Sequence, residues 1–179
     1  MADKVIALGV TGGIAAYKAA DLCSRLGRKY DVRVLMTENA TRFVTPLTFK
    51  TLSRNEVVTS LWEEHEWRPE HVALADEAKL FAVVPATADF IAKFAHGIAD
   101  DALSTFAATF AGPTLLAPAM NPKMWSNPAC IDNVALLKSR GVKFCGPASG
   151  HVACGADGVG RMAEVEEILA AIEAAVAEL

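Results

Sequence analysis

The chain has 179 residues, of which 53% are hydrophobic and 21% charged, with a formal net charge of −4. That length supports one domain with a full hydrophobic core, and that composition excludes a disordered tail. The mild acidity gives no reason to expect nucleic acid or an anionic membrane as partner.

No apolar run approaches the roughly 18 residues that a membrane span needs, and the N-terminus, "MADKVIALGVTGG", lacks a signal-peptide cleavage pattern. A cytoplasmic location is expected. The four cysteines, Cys23, Cys130, Cys145 and Cys154, include no CxxC pair and no zinc-like spacing. No metal is expected, and in a reducing compartment no disulfide.

In chain order, "KVIALGV" (4–10) reads as a strand covered on both faces. "GGIAAYKAADLCSRLGRK" (12–29) follows with helical spacing at Ile14, Tyr17, Leu22 and Leu26. Further strands are predicted over 31–37, 79–86, 113–119 and 141–147, with helices near 88–96, 101–110 and 127–140. Asn127-Pro128 is a helix start, a cap followed by proline at the first helical position. The chain ends in an amphipathic helix, "EVEEILAAIEAAVAEL". Cys23, in a helical pattern, and Cys145, in a strand-like run, read as inert core thiols.

This alternation predicts an α/β fold, a single domain with a Rossmann-like or flavodoxin-like open parallel sheet and helices on both faces. Each strand is followed at once by an unusual loop: "TGG", "TEN", "PATAD", "PAMNP" and "GPASG". In an open parallel sheet such loops share one edge, where ligands bind.

The motifs at that edge each have a plain and a chemical reading. "GVTGGIAAYK" (9–18) is a glycine turn that could face an anion with backbone N–H groups, but it is neither GxGxxG nor a P-loop. Thr37 and Thr87 could cap helices or hold a phosphate. His71 has the pKa range for proton transfer at neutral pH, although a lone histidine is more often structural; His65, His96 and His151 rank below it. Asn121, between Pro118 and Pro122, offers a donor and an acceptor suited to a carboxylate or a flavin edge. "GPASGHVACGADGVGRMAEVEEI" (146–168) reads as a surface loop or as a lid with Cys154 as its reactive group.

Taken together, these pieces resemble the homo-oligomeric flavin-containing cysteine decarboxylases. "APAMNPKMW" is similar to their PxMNxxMW signature, "GPASG" to a second signature, and "HVALA" to the segment with their catalytic histidine. "ACGADGVGRM" resembles the substrate-clamp loop of the phosphopantothenoylcysteine decarboxylase branch, which "GVTGGIAAYK" and "PATADFIAKFAHGIADD" also follow. The resemblance runs from residue 9 to residue 162.

It implies a flavoprotein domain over 1–179 that decarboxylates 4′-phospho-N-pantothenoylcysteine with FMN. The thiol would be oxidised to a thioaldehyde, CO2 lost, and the enethiolate reduced again. By the same resemblance His71 would be the base, Asn121 would orient the carboxylate, and Cys154 would donate a proton. Gly12, Gly13, Ile14, Thr37, Phe43, Thr87, Ala88, Asp89, Phe90, Ala119 and Met120 would line the FMN.

The family also implies a homo-oligomer, a trimer or a dodecamer built from trimers. In many bacteria the domain is fused to a synthetase. This sequence stops at Leu179, which leaves open a separate synthetase partner, a stand-alone enzyme, or a chain cut from a fusion. Three rivals stand beside this reading: a flavin prenyltransferase, a peptidyl-cysteine decarboxylase, and a flavin-binding regulatory subunit. Prenyltransferases lack the Asn-bearing motif, and the regulatory relatives carry acidic extensions that this chain does not have.

Overall fold

The computed structural model describes residues 4–62, 70–151, 155 and 157–179. Its elements, in chain order, are β1 (Val5–Val10), α1 (Ala16–Leu26), β2 (Asp31–Met36), α2 (Glu38–Thr41), α3 (Pro46–Ser53), β3 (Val57–Val58), α4 (Glu70–Glu77) and β4 (Ala78–Ala86). Then come α5 (Ala88–His96), α6 (Ala102–Thr109), β5 (Thr114–Pro118), α7 (Pro122–Trp125), α8 (Pro128–Ser139), β6 (Lys143–Phe144), β7 (Ala148–His151), β8 (Asp157–Arg161) and α9 (Val165–Ala177).

Six strands form one parallel sheet in the order β3-β2-β1-β4-β5-β6. This is the doubly wound Rossmann order. Without the two-residue β3 at its edge, the same order is the five-stranded flavodoxin-like one. The chain winds outward from β1 to β3 and returns through α4 to lay β4 beside β1. The loops after β1 and β4 therefore leave in opposite directions, and a crevice opens between them.

Period-two alternation decides which side chains face which helix layer. Ile6, Leu8 and Val10 join one buried cluster with Leu22 and Leu26 of α1, Phe49 of α3, and Ile168 and Ile172 of α9. Ala7 points the other way, into a cluster with Leu74 of α4, Phe90 of α5, Phe106 of α6 and Leu137 of α8. Phe81 centres that second layer, edge-on to Phe106 at 5.0 Å between ring centroids and to Phe90 at 6.4 Å. Each fully buried side chain of this size contributes roughly 1.5–3 kcal/mol.

The helix ends follow their capping residues. Asn127 accepts from the Ala129 N–H with Pro128 at the first position of α8. Asp101 and Ser104 form a reciprocal box at the start of α6. Ion pairs dock α9 on α1, with Lys18 to Glu164, Arg25 to Glu166 and Lys29 to Glu173.

Several elements differ from the sequence expectation. β6 pairs over two residues only, opposite Leu115 and Leu116, because the chain turns away at Gly146, whose φ is +81°. The helix expected from residue 12 begins at Ala16, since the glycine turn comes first. Ile14 and Tyr17, expected on its buried face, are exposed. The glycine-rich stretch expected as a loop or lid contains two paired antiparallel strands, β7 and β8. Among the described residues no helix is long and apolar enough to cross a membrane.

Candidate functional site

The crevice is tied together at its base by one hydroxyl. Thr11, buried at the end of β1, donates from Oγ1 to the Pro85 carbonyl at 2.6 Å and accepts from the Thr87 N–H at 3.1 Å. The ends of β1 and β4 are held in fixed relation by this pair. Gly12 then passes against α2 so closely that a Cβ would lie 2.4 Å from the Cβ of Asn39 and 2.8 Å from its carbonyl carbon. Only glycine fits there.

The turn closes when the Ala16 N–H donates to the Gly13 carbonyl at 2.9 Å, and α1 begins. The Ile14 and Ala15 amides find no acceptor among the described residues. The first turn of α1 carries no acidic side chain. An eleven-residue helix with unused amides at its positive end attracts an anion.

The next two strand ends face this turn. Thr87 caps α5 by accepting from the Phe90 N–H at 3.4 Å. Asn121 caps α7, with Pro122 following it at the first helical position. Its Oδ1 accepts from the Lys123 N–H at 2.8 Å, which fixes the plane of the amide and makes its nitrogen end a donor. One amide stands between two prolines here because Pro118 ends the strand and Pro122 starts the helix.

The loop is braced from two sides. The Met120 N–H donates to the Gly160 carbonyl at 2.9 Å, and the Cys130 thiol donates to the Met120 sulfur at 3.7 Å. Burial pushes the Cys130 thiol above its ordinary pKa.

The β7–β8 pair completes the wall. β8 runs directly over Met120–Pro122. A Cβ on Gly160 would lie 2.3 Å from the Met120 carbonyl oxygen, and one on Gly158 would lie 3.0 Å from Pro122 Cβ. This strand is a fixed wall packed backbone to backbone, not a free lid. Arg161 at its end pairs with Glu164, which also receives Lys18 Nζ at 3.1 Å. The Arg161 Nε is buried and has no hydrogen-bond partner among the described residues. His151, on β7, lies 3.4 Å from Asp157.

These pieces enclose a cavity of about 650 Å³. Of the expected site residues it is lined by Gly12, Gly13, Ile14, Thr87, Ala88, Ala119, Met120 and Asn121. Thr37, Phe43, Asp89 and Phe90 are not in its lining. The Thr37 hydroxyl caps α2 by accepting from the Ala40 N–H. Phe43 is exposed, and Asp89 pairs with Lys93. The Phe90 ring is buried in the core beside Phe81 and Phe94, so it presents no side chain to a ligand.

His71 is placed by its backbone in the first turn of α4; its side chain lies outside what is described. Cys154 also lies outside the described residues. The cavity adds residues that sequence reasoning passed over: Tyr17, Lys18, Arg161 and Met162, with His151, which it had ranked low. Lys18 was legible in one respect, as it stands one turn past the glycines on the face of Ile14.

The residues suit a cofactor with a flat apolar ring and an anionic tail. Ile14, Met120, Met124 and Met162 offer apolar walls, while the Ile14 and Ala15 amides and the Arg161 guanidinium offer donors. Among the described residues no cluster of side chains could hold a metal ion.

Comparisons with known proteins agree with this chemistry. The Flavoprotein family model matches residues 1–177. The chain is 44% identical over 174 residues to the "Probable phosphopantothenoylcysteine decarboxylase" of Streptococcus mutans, covering 95% of this chain and 97% of that protein. It is 43% identical over 168 residues to the "Coenzyme A biosynthesis bifunctional protein CoaBC" of Borreliella burgdorferi, covering 93% of this chain and 43% of that protein. The chain thus spans less than half the length of the bifunctional relatives it matches.

Among solved structures it superposes on the FMN-dependent cysteine decarboxylase SpaF with a TM-score of 0.85 at 29% identity, covering 99% of this chain and 97% of that one. With a family match over nearly its full length, and a cavity at the β1–β4 switch point built for a ring and an anion, the chain belongs to the Flavoprotein family.

Proposed function

We propose that this chain catalyses the FMN-dependent decarboxylation of 4′-phospho-N-pantothenoylcysteine to 4′-phosphopantetheine, a step of coenzyme A biosynthesis. The observation that carries this reading is a single cavity lined both by the acid-free start of α1 and by Asn121. The name of the Streptococcus mutans relative supports the substrate, and that of SpaF supports FMN.

Losing CO2 from a plain cysteine carboxylate leaves an electron pair with no acceptor. Bound FMN would supply the missing chemistry, two-electron oxidation of the substrate's thiol-bearing CH–SH unit and later return of the pair. The protein supplies placement. The Ile14 and Ala15 amides and the Thr87 cap would hold the cofactor phosphate, and Met120 and Met124 would flank the ring. Asn121 would present its nitrogen end to the departing carboxylate. The roles of His71 as base and Cys154 as proton donor rest on the family resemblance alone.

Ile14 and Tyr17, 58% and 60% exposed, and Met124, 48% exposed, form an apolar rim on the cavity. We assign that rim to contact with a second copy in a trimer, which light scattering on the yellow holoprotein would read directly.

The deciding assay mixes FMN-loaded protein with 4′-phosphopantothenoylcysteine and follows CO2 and product mass. Formation of 4′-phosphopantetheine, dependent on FMN, is expected; equal CO2 release by protein stripped of flavin would falsify the mechanism. The competing substrate class for the same chemistry is a peptide ending in cysteine. Faster turnover of such a peptide would replace the pantothenoyl substrate and keep the chemistry.

A further inference from the structure

Among the described residues two cations line the cavity, Lys18 on α1 and Arg161 on β8. Both are bound by one carboxylate, Glu164, which lies outside the cavity lining. Glu164 is itself fixed as the cap residue of α9, where its backbone N–H donates to the Glu167 carboxylate at 2.9 Å. It is therefore a rigid anchor for the end of β8. Its grip on Arg161 is by the Nη2 end of the guanidinium. The Nε of the same group is buried without a partner among the described residues, under Gly150, where a Cβ would lie 3.7 Å from it. The side chain as a whole is 42% exposed, and Nη1, neither bonded to Glu164 nor buried with Nε, is the edge left for a ligand, where a charge-assisted hydrogen bond is strong. Among the described residues, two cations against one carboxylate also leave the wall with an excess positive charge.

We propose that Glu164 is a positioning residue that sets the Arg161 guanidinium so that its free Nη1 edge donates to the phosphate monoester of a cavity ligand. The inference rests on the proposed function for its choice of ligands, because FMN and the phosphopantothenoyl substrate both carry that group. The apolar walls do not need Arg161, so its contribution is confined to the charged end of the ligand. Glu164 touches no ligand and acts through Arg161. Removing its charge frees the guanidinium to rotate, and the phosphate is then held less well although the wall becomes more positive.

The test compares phosphorylated and dephosphorylated ligands by calorimetry on wild type, Arg161→Met, Arg161→Lys and Glu164→Gln. One arm titrates apoprotein with FMN and with riboflavin. The other titrates holoprotein with 4′-phosphopantothenoylcysteine and with pantothenoylcysteine. In one arm the wild-type preference for the phosphate form is expected to fall by about tenfold or more in Arg161→Met and Glu164→Gln, with binding of the dephosphorylated form unchanged. The arm that moves identifies the phosphate, cofactor or substrate.

Arg161→Lys, which keeps the charge and loses the planar guanidinium fork, is expected to recover little. A purely structural role would weaken both forms equally. The proposal is overturned if neither preference changes, if Glu164→Gln keeps the full preference that Arg161→Met loses, or if Arg161→Lys restores it. Failure of the wild type to bind either pantothenoyl compound would sink the proposed substrate, and the flavin arm would still decide the role of Glu164.

Discussion

Replacing Gly160 by alanine tests whether β8 is a wall or a lid. The added Cβ would lie 2.3 Å from the Met120 carbonyl oxygen, 3.1 Å from the Pro122 nitrogen and 3.3 Å from the Asn121 carbonyl carbon. All three neighbours are backbone, so no side chain can swing aside. The strands must part by most of an ångström to reach ordinary contact. The Met120–Gly160 hydrogen bond, 2.9 Å long, would then stretch past useful length. Its loss costs about 1 kcal/mol, and overpacking adds about 1–3 kcal/mol.

The expected destabilisation is therefore about 2–4 kcal/mol, or roughly 5–15 °C in Tm for a chain of this size. A shift of that order beside Asn121 and Arg161 would also lower kcat/KM, by about a hundredfold. Thermal unfolding by circular dichroism and steady-state decarboxylation measure the two effects. Gly13→Ala is the control, since its Cβ would meet only Thr87 Cγ2 at 3.7 Å. It should leave Tm nearly unchanged and weaken FMN binding. If Gly160→Ala unfolds within about 1 kcal/mol of wild type and keeps kcat/KM, β8 is not fixed to the asparagine loop, and the wall argument fails.

Three further outcomes are expected. Thr11→Val strands the Pro85 carbonyl and the Thr87 N–H, so denaturant unfolding should show a loss of about 2–3 kcal/mol and flavin titration a weaker FMN affinity. Burial raises the Asp31 pKa, but hydrogen bonds from Arg33 and Asn55 outweigh it and hold the carboxyl below its ordinary range. Its stabilisation is thus present above the unfolded value and lost as pH falls through the lower folded value; Asn55→Ala should move the acid-unfolding midpoint to higher pH. Burial pushes the Cys23 thiol up to about 12, so mass spectrometry after brief iodoacetamide treatment at pH 8 should find Cys23 unmodified in folded protein and alkylated in urea.

The sheet was legible because its signals are local. β1, β2, β4 and β5 are mostly apolar, with charges confined to Asp31 and Arg33 in β2 and Lys79 in β4, and α5, α6 and α8 start at Thr87, Asp101 and Asn127, each of which accepts a backbone N–H. Strand order was not legible, since it depends on where the crossover through α4 lays β4. The same distinction sorts the site. Gly12, Gly13, Thr87 and Asn121 end or follow strong strands, so one edge gathers them whatever the order. Lys18 and Arg161 are more than a hundred residues apart in the sequence; Arg161 meets Glu164 three residues on, and only the docking of α9 on α1 brings Lys18 to the same carboxylate.

Phe90 shows the opposite error. It sits three residues past Thr87, and its N–H bonds that hydroxyl, yet a helix turns about 100° per residue and carries the ring to the Phe81 side of the sheet. Neighbourhood in sequence predicted the backbone contact and misled about the side chain.

The glycines of 146–160 misled in a different way. Glycine density reads as flexibility when each residue is taken alone. Here Gly158 and Gly160 are spaced two apart on a strand, so they lie on one face, and that face is the one pressed on Pro122 and Met120. A period of two in glycine is a packing signal of the same kind as a period of two in valine, with the partner the Met120–Pro122 loop, its proline ring under Gly158 and its backbone under Gly160, instead of a core. On that argument the wall's rigidity resides in Gly158 and Gly160, not in Gly155, where a Cβ would meet no atom within 4 Å.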